Sequence, residues 1–355
     1  MQRIKVAVLG AGGLVAQRLQ QRLIHHPWFS LVAVAGSPRF RGHSLSSVPW
    51  VLTEQRPDLP DVVVDDVADE AAIRRLVSEG VAVAFSSLPS TEAQQLEPLW
   101  VNAGVAVFSN ASAYRGADGV PLVIPEINPT ALRTSRPLRH ACATNCTLIP
   151  LVLPLAAIHE AFGLKGYTMR SEQGLSGGGH AYMERAMSEG AVDPTIPGEA
   201  EKTASELETV LGWAGEAVLN CGRVMRPDGH HVFVEADVER PVDEKAVMNA
   251  LERWSNEHRT TLPSAPHQPL MLTPAIDVEA HLFANGHGYP ERPDPATELD
   301  AGMAVAVGSI TCPTDRSIRF EAFSHNTIRG AAGGVIYLAE LAHEMELLSS
   351  SPAHP

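Results

Sequence analysis

The 355-residue chain is short of cysteine, of excess positive charge and of any long apolar run. Its four cysteines, Cys142, Cys146, Cys221 and Cys312, have neither the paired spacing of a metal site nor the density of a disulfide framework. Free thiols in a reducing compartment and no metal centre are therefore expected. With 27 Lys and Arg against 41 Asp and Glu the formal charge is −14. That argues against nucleic acid as a partner, because non-specific binding to it needs a basic surface. A few local arginines can still make a pocket for an anionic small molecule. No stretch approaches the roughly 20 apolar residues of a membrane span. Met1-Gln2-Arg3-Ile4-Lys5 runs straight into a strand pattern without the layout of a secretory signal. No internal repeat or low-complexity segment is found. A cytoplasmic globular protein of ordinary composition is expected, and at this length two domains.

What is present is an alternation of apolar strands and amphipathic helices. Ile4–Leu9 and Leu31–Ala35 read as strands flanking a helix through Leu14, Val15, Leu19 and Leu23. Further strands are expected at Val62–Val64, Val81–Phe85 and Val105–Phe108, with helices over 68–78 and 91–103 between the last three. This is the rhythm of a doubly wound parallel sheet. Helical periodicity follows Cys146 to about Phe162. Beyond it, Gly163–Glu172, Arg223–Val238, Ala275–Phe283, Met303–Thr311 and Ser317–Phe323 read as longer strands, with helices over 242–256 and 327–347. A second, α+β domain with a mixed sheet is expected over 146–325, after a first domain over 1–145. The final helix, 326–348, is expected to return to the first domain. Loops are expected at 193–198, 226–229 and 285–295, and a frayed tail at 349–355.

Two local features carry chemistry. Gly10-Ala11-Gly12-Gly13-Leu14-Val15-Ala16 leaves a strand and opens a helix, which is the context of a Rossmann dinucleotide fingerprint. Gly10 allows the tight turn, Gly12 lets backbone approach a pyrophosphate, and Ala16 allows close helix–sheet packing. The second strand ends in Gly36-Ser37-Pro38-Arg39-Phe40-Arg41 without the acid that binds a ribose 2′-hydroxyl. Ser37 and Arg39 suit a 2′-phosphate instead, so NADP is the expected cofactor. The second feature is Cys146 in Ala143-Thr144-Asn145-Cys146-Thr147, just before a helix. A helix N-terminus favours a thiolate, and Asn145 and Thr147 offer hydrogen bonds near a developing oxyanion. The competing reading is a buried structural thiol.

Several separated motifs together resemble the aspartate-β-semialdehyde dehydrogenase family, especially its archaeal and fungal-type branch. They are the Gly10–Gln17 loop, Phe85-Ser86-Ser87-Leu88-Pro89-Ser90, Ser109-Asn110-Ala111-Ser112-Ala113-Tyr114-Arg115 and Val123-Ile124-Pro125-Glu126-Ile127-Asn128-Pro129. Asn145-Cys146-Thr147, Gln173-Gly174-Leu175-Ser176-Gly177, Arg223 seven residues before His230, and Asn326-Thr327-Ile328-Arg329-Gly330 complete the set. The resemblance runs to about residue 345. It implies NADPH-dependent reduction of an acyl phosphate to an aldehyde with release of phosphate, in the aspartate route to lysine, threonine and methionine. It implies Cys146 as nucleophile, His230 as acid/base and Gln173 as the group orienting the acyl carbon. Arg223 would hold the substrate carboxylate, Arg115 the phosphate, Asn145 the oxyanion or phosphate, and Glu206 the substrate amino group. Gly10, Gly12, Gly13, Leu14, Val15, Ser37, Arg39, Ser87, Leu88, Ser176, Gly177 and Asn326 would contact the cofactor. A homodimer or homotetramer is implied, with the second domain's sheet buried against a twin.

Some positions depart from the family pattern. His43 stands where a lysine usually follows the glycine, and Thr209 where a lysine assists phosphate, with Lys202 the substitute from the previous turn. His231 competes with His230 for the acid/base role; adjacent strand residues face opposite ways, so only one can face the site. Without the family comparison the choice between them is near even. Two rival readings stay open: an acyl-CoA or other acyl-phosphate reductase resembling malonyl-CoA reductase, and a catalytically silent nucleotide-binding paralogue. The discriminator for the latter is an unusually acidic cysteine.

Overall fold

The computed structural model describes residues 3–134, 136–287 and 292–348. The first sheet begins with β1 (Ile4–Leu9), α1 (Leu14–Leu23) and β2 (Phe29–Gly36), followed by β3 (Asp65–Asp66), α2 (Glu70–Ser78) and β4 (Val81–Ser86). Helix α3 (Ser90–Asn102), β5 (Ala106–Ser109) and β6 (His140–Cys142) complete it. The strand order is β3-β2-β1-β4-β5-β6, and every pairing is parallel. Parallel strands put all their C-terminal ends at one edge, and in such sheets ligands bind at that edge. Gly10, Ser37, Ser87, Asn110 and the 143–146 segment each follow one of these strand ends, so the glycine loop and Cys146 share an edge.

Helix α4 (Leu148–Phe162) leads into the second half of the chain. It is buried along its whole length from Leu148 to Ile158, apolar on every side, as a helix inside a core must be. The second sheet is built from β7 (Leu164–Gln173), β8 (Glu216–Arg223), β9 (His230–Val238), β10 (Leu270–Leu272), β11 (Val305–Thr314) and β12 (Ser317–Ser324). The intervening helices are α5 (His180–Glu189), α6 (Glu199–Leu211) and α7 (Glu244–Glu257). The order is β10-β11-β12-β9-β7-β8; β10/β11 and β7/β8 are parallel and the rest antiparallel. One face packs on α4, α6 and α7, with Leu151, Leu155, Tyr167, Val232, Val247 and Phe320 in one core. The last helix, α8 (Gly333–Glu344), returns to the first sheet. Val335, Ile336 and Ala339 pack with Val6, Val8 and Phe108.

Several sequence expectations shift. Val62–Val64 is not a strand: Val63 makes only an isolated bridge to Ser44, and pairing with β2 falls on Asp65–Asp66. Arg223–Val238 is two strands, broken by the Pro227-Asp228-Gly229 turn, where Gly229 has φ +90°. Ala275–Phe283 is a series of turns, because the Asp277 carboxylate accepts the N–H groups of Glu279 and Ala280 and curls the backbone. The loop expected at 285–295 includes 288–291, which lie outside the described residues, as do residues 1–2 and the expected frayed tail 349–355.

Candidate active site

Strand register assembles the site. Gln173 at the end of β7 pairs with Arg223 on β8 and with His230 on β9. Residues directly opposite one another point to the same face of a sheet, so the three form one row. His231 faces the other way, where its Nε2 meets a Glu321 carboxylate oxygen at 2.9 Å. Of the two histidines, His230 is thus the one on the side of Cys146.

Cys146 lies between β6 and α4, with Sγ 3.2 Å from His230 Nε2. The Gly330 backbone crosses directly beside it: a Cβ on Gly330 would sit 2.6 Å from the Cys146 Cβ. His230 is fully buried, and its Nδ1 is 3.2 Å from the Gly174 N–H. Gln173 is also buried and donates from Nε2 to Ser171 Oγ at 3.3 Å. Arg223 donates from Nη1 to the Gly174 carbonyl at 2.8 Å.

The protonation states correct the expectation of a helix-stabilised thiolate. Burial, reinforced by the Glu199 charge, pushes the Cys146 thiol up to about 12, against the opposing pull of Arg115 and Arg223. Burial also drives His230 down to about 4, away from the near-neutral value expected of an acid/base. Desolvation outweighs the helix N-terminus, and the resting pair is a neutral thiol beside a neutral imidazole.

The polar side-chain atoms of Asn145 and Thr147 are engaged within the protein. Asn145 Oδ1 accepts the Thr147 N–H at 2.6 Å, an Asx-type turn just ahead of α4. Its Nδ2 and the Thr147 hydroxyl both donate to one oxygen of Glu199, each at 2.9 Å. These residues brace a carboxylate instead of lining an oxyanion hole. Burial raises the Glu199 carboxyl, but those hydrogen bonds and the Lys202 charge outweigh it and leave it below the ordinary range.

Glu206 is likewise placed differently from the expected ammonium ligand. One oxygen accepts from Arg115 Nη1 at 2.8 Å and the other from the Asn145 N–H at 2.6 Å. Arg115 Nη2 donates to the Asn110 carbonyl at 2.7 Å. Lys202 Nζ lies 3.3 Å from Glu199, whereas the Thr209 hydroxyl bonds back to Ser205 on the exposed side of α6. Arg115 and Lys202 are therefore two cations held by two buried carboxylates beside Cys146. Glu199 is a residue beside the site that none of the sequence motifs marks. Its signal was the spacing of three to Lys202 at the start of a helix, which puts both on one face.

The cofactor candidates fall into three groups. At Gly10 φ is +116°, and a Cβ there would be 2.7 Å from Ser87 Oγ, so only glycine fits the turn. A Cβ on Gly12 would come within 3.0 Å of the Phe40 ring, whereas Gly13 faces open space. Leu14 and Val15 open α1, Leu88 is buried behind Ser87, and the Ser87 hydroxyl donates to the Leu9 carbonyl at 3.0 Å. Ser37 and Arg39 are exposed, with the Arg39 guanidinium 5.2 Å from the Phe40 ring centre. Ser176 and Asn326 are joined in an internal brace: Asn326 Nδ2 donates to Ser176 Oγ (2.8 Å), which donates to Asp228 (2.7 Å). Asn326 Oδ1 accepts the Gly229 N–H at 2.7 Å. The brace fixes the turn between Arg223 and His230. Gly177 closes against that pair, since its Cβ would be 3.1 Å from Arg223 Nη1. No helix among the described residues is long and apolar enough to cross a membrane.

A sequence profile for the semialdehyde dehydrogenase NAD binding domain matches residues 5–135. The chain is 34% identical to an aspartate-semialdehyde dehydrogenase of Archaeoglobus fulgidus, over 96% of this chain and 98% of that one. It is 28% identical to a malonyl CoA reductase (NADP) of Metallosphaera sedula, over 96% and 97% of the two chains. The structure superposes with a TM-score of 0.78 on the Candida albicans aspartate-semialdehyde dehydrogenase solved with NADP, 28% identical over 98% of this chain and all of that one. Sequence identity over nearly its full length, together with this fold, makes the chain a member of the aspartate-semialdehyde dehydrogenase family of oxidoreductases.

Proposed function

We propose that this protein reduces an acyl phosphate, aspartyl 4-phosphate, to L-aspartate 4-semialdehyde and phosphate, with NADPH, through a thioester on Cys146. The reading rests on the Cys146–His230 contact of 3.2 Å in a row with Gln173 and Arg223. The Gly10–Gly13 loop fits a dinucleotide, because its glycines clear the strand-to-helix turn at the sheet edge and Gly13 leaves space. Ser37 and Arg39 would meet the 2′-phosphate. When bound, NADPH supplies the hydride that reduces the acyl carbon of the thioester.

The chain's own residues handle the proton and the charges. The step uses the His230 tautomer protonated on Nδ1, which leaves the Nε2 lone pair facing the thiol 3.2 Å away. The Gly174 N–H, 3.2 Å from Nδ1, is then accepted by the Gly229 carbonyl at 3.0 Å. As Sγ attacks the acyl carbon, its proton passes to Nε2, the carbon–oxygen bond to phosphate breaks, and the departing phosphate takes up one proton from solvent. Arg115 and Lys202 receive the phosphate, and Arg223 holds the substrate carboxylate with its planar fork. After reduction the carbon–sulfur bond breaks, the aldehyde forms, and the His230 imidazolium returns its proton to the sulfur. A histidine pulled down to about 4 returns that proton readily, and such acid–base help is worth on the order of 10²–10⁴ in rate.

One observation favours a second reading, a malonyl-CoA reductase-like activity. Each Glu206 oxygen already accepts a hydrogen bond within the protein, from Arg115 and from the Asn145 N–H, so a substrate ammonium group would have to share that carboxylate with them. The test is NADP reduction with aspartate semialdehyde and phosphate, run beside NADPH oxidation with malonyl-CoA. Activity on the first that Cys146→Ala abolishes supports the proposal; activity on the second alone replaces it. The proposal extends to a cytoplasmic homo-oligomer. The outer face of the second sheet, with Arg170 stacked 3.9 Å over Phe233 and Arg319 paired to Glu235, is the surface for a second copy.

A further inference from the structure

Helix α5 is the most exposed helix near the site: of its ten residues only Ala186 is buried. No step above uses it, and it has no apolar stripe deep enough to hold it in place. One side chain nevertheless turns inward. The half-buried Tyr182 ring centre lies 5.2 Å from the Arg223 guanidinium carbon, within cation–π range. The glycine tract is shaped around this contact. A Cβ on Gly178 would be 2.6 Å from Tyr182 Cδ1, and one on Gly177 would be 3.1 Å from Arg223 Nη1 and 3.3 Å from His230 Cε1. The tract thus runs close along this contact, Gly177 beside Arg223 and His230 and Gly178 beside Tyr182.

Arg223 has a single hydrogen-bond anchor for its guanidinium among the described residues, Nη1 to the Gly174 carbonyl at 2.8 Å. One hydrogen bond leaves a planar fork free to rotate about that contact, and a ring within cation–π range restricts that rotation. We infer that Tyr182 is a positioning residue for Arg223: its ring holds the guanidinium plane so that the fork stays open to a substrate carboxylate. The inference rests on Arg223 being the carboxylate clamp of the proposed reaction. The ring face carries the effect. The Tyr182 hydroxyl reaches only the Asp193 carbonyl, at 3.5 Å, too far for a firm hydrogen bond.

The test compares Tyr182→Leu, which fills the space without a π face, with Tyr182→Phe, which keeps it. Each full-length variant is assayed with aspartate semialdehyde and with a carboxylate-free aldehyde of similar size. Tyr182→Leu should raise KM for aspartate semialdehyde about five- to tenfold, the equivalent of roughly 1 kcal/mol, with kcat changed less than about twofold. Tyr182→Phe should stay within about twofold of the parent, and neither variant should alter kcat/KM for the carboxylate-free aldehyde. An unmoved KM in Tyr182→Leu, or equal losses on both aldehydes, overturns the inference. Arg223→Lys separates the two levels. If it leaves KM for aspartate semialdehyde unchanged, the clamp reading itself fails; if it raises KM while Tyr182→Leu does not, only the role of Tyr182 fails.

Discussion

The neutral Cys146–His230 pair makes a quantitative prediction for the free enzyme. With the thiol pushed up to about 12, the thiolate fraction at pH 7 is on the order of 10⁻⁵, and alkylation by iodoacetamide should be correspondingly slow. The rate should climb about tenfold per pH unit through the alkaline range, with no plateau between about pH 5 and about pH 8. A thiolate–imidazolium pair would give that plateau. The assay is a pH–rate profile of alkylation, with the labelled peptide identified as the one bearing Cys146. A flat, fast profile near neutrality would refute the claim that desolvation outweighs the helix N-terminus. The prediction also removes acidity of the resting cysteine as a discriminator of a silent paralogue, since an active enzyme of this design would show none. His230 supplies the acid side. Its pKa is depressed from 6.5 to about 4, so its contribution to stability is present above the unfolded value and lost as pH falls through the folded one. Between those limits the native state should lose roughly 3 kcal/mol, and a His230→Asn variant should lack that portion of the acid destabilisation.

Three further outcomes follow from particular contacts. Gly330→Ala places a methyl 2.6 Å from the Cys146 Cβ and should cost about 1–3 kcal/mol in chemical denaturation while lowering kcat. A variant as stable and active as the parent would show that the backbone there yields freely. Glu206→Ala leaves Arg115 and the Asn145 N–H without their partner and should cost roughly 3–5 kcal/mol of stability. A rise in KM with no loss of stability would return Glu206 to the role of ammonium ligand. Arg319→Glu removes the bidentate pair to Glu235 on the outer sheet face and sets two like charges together there. Sedimentation should then show a smaller species than the parent, and an unchanged one would move the interface elsewhere.

Much of this was legible in the chain, and the misreadings have physical causes. The parallel sheet was readable because the buried parts of its strands, such as Val6–Leu9, are continuous apolar runs and the glycine loop marks where the first one ends. The loop at 226–229 was legible from Pro227-Asp228-Gly229, yet the strand reading over Arg223–Val238 ran through it and missed that β8 (Glu216–Arg223) lies before the turn. Strand register puts Gln173 beside both Arg223 and His230, a fact no linear spacing encodes. The alternation in Ala275–Phe283 imitates a strand, yet one aspartate that satisfies two backbone N–H groups is enough to turn it. Helix α5 escaped notice because three glycines precede it and it buries almost nothing. The resting charge of Cys146 was misjudged for a different reason. A helix start can be read locally, whereas desolvation depends on the neighbours that the fold brings in.

The most direct test of the covalent account is a single-turnover experiment with NADP and aspartate semialdehyde, without phosphate. Aldehyde oxidation should stop at the thioester, with NADPH formed in one burst equal to the enzyme present and an acyl adduct on the peptide carrying Cys146. An adduct on another residue, or an undiminished burst from Cys146→Ala, would contradict it.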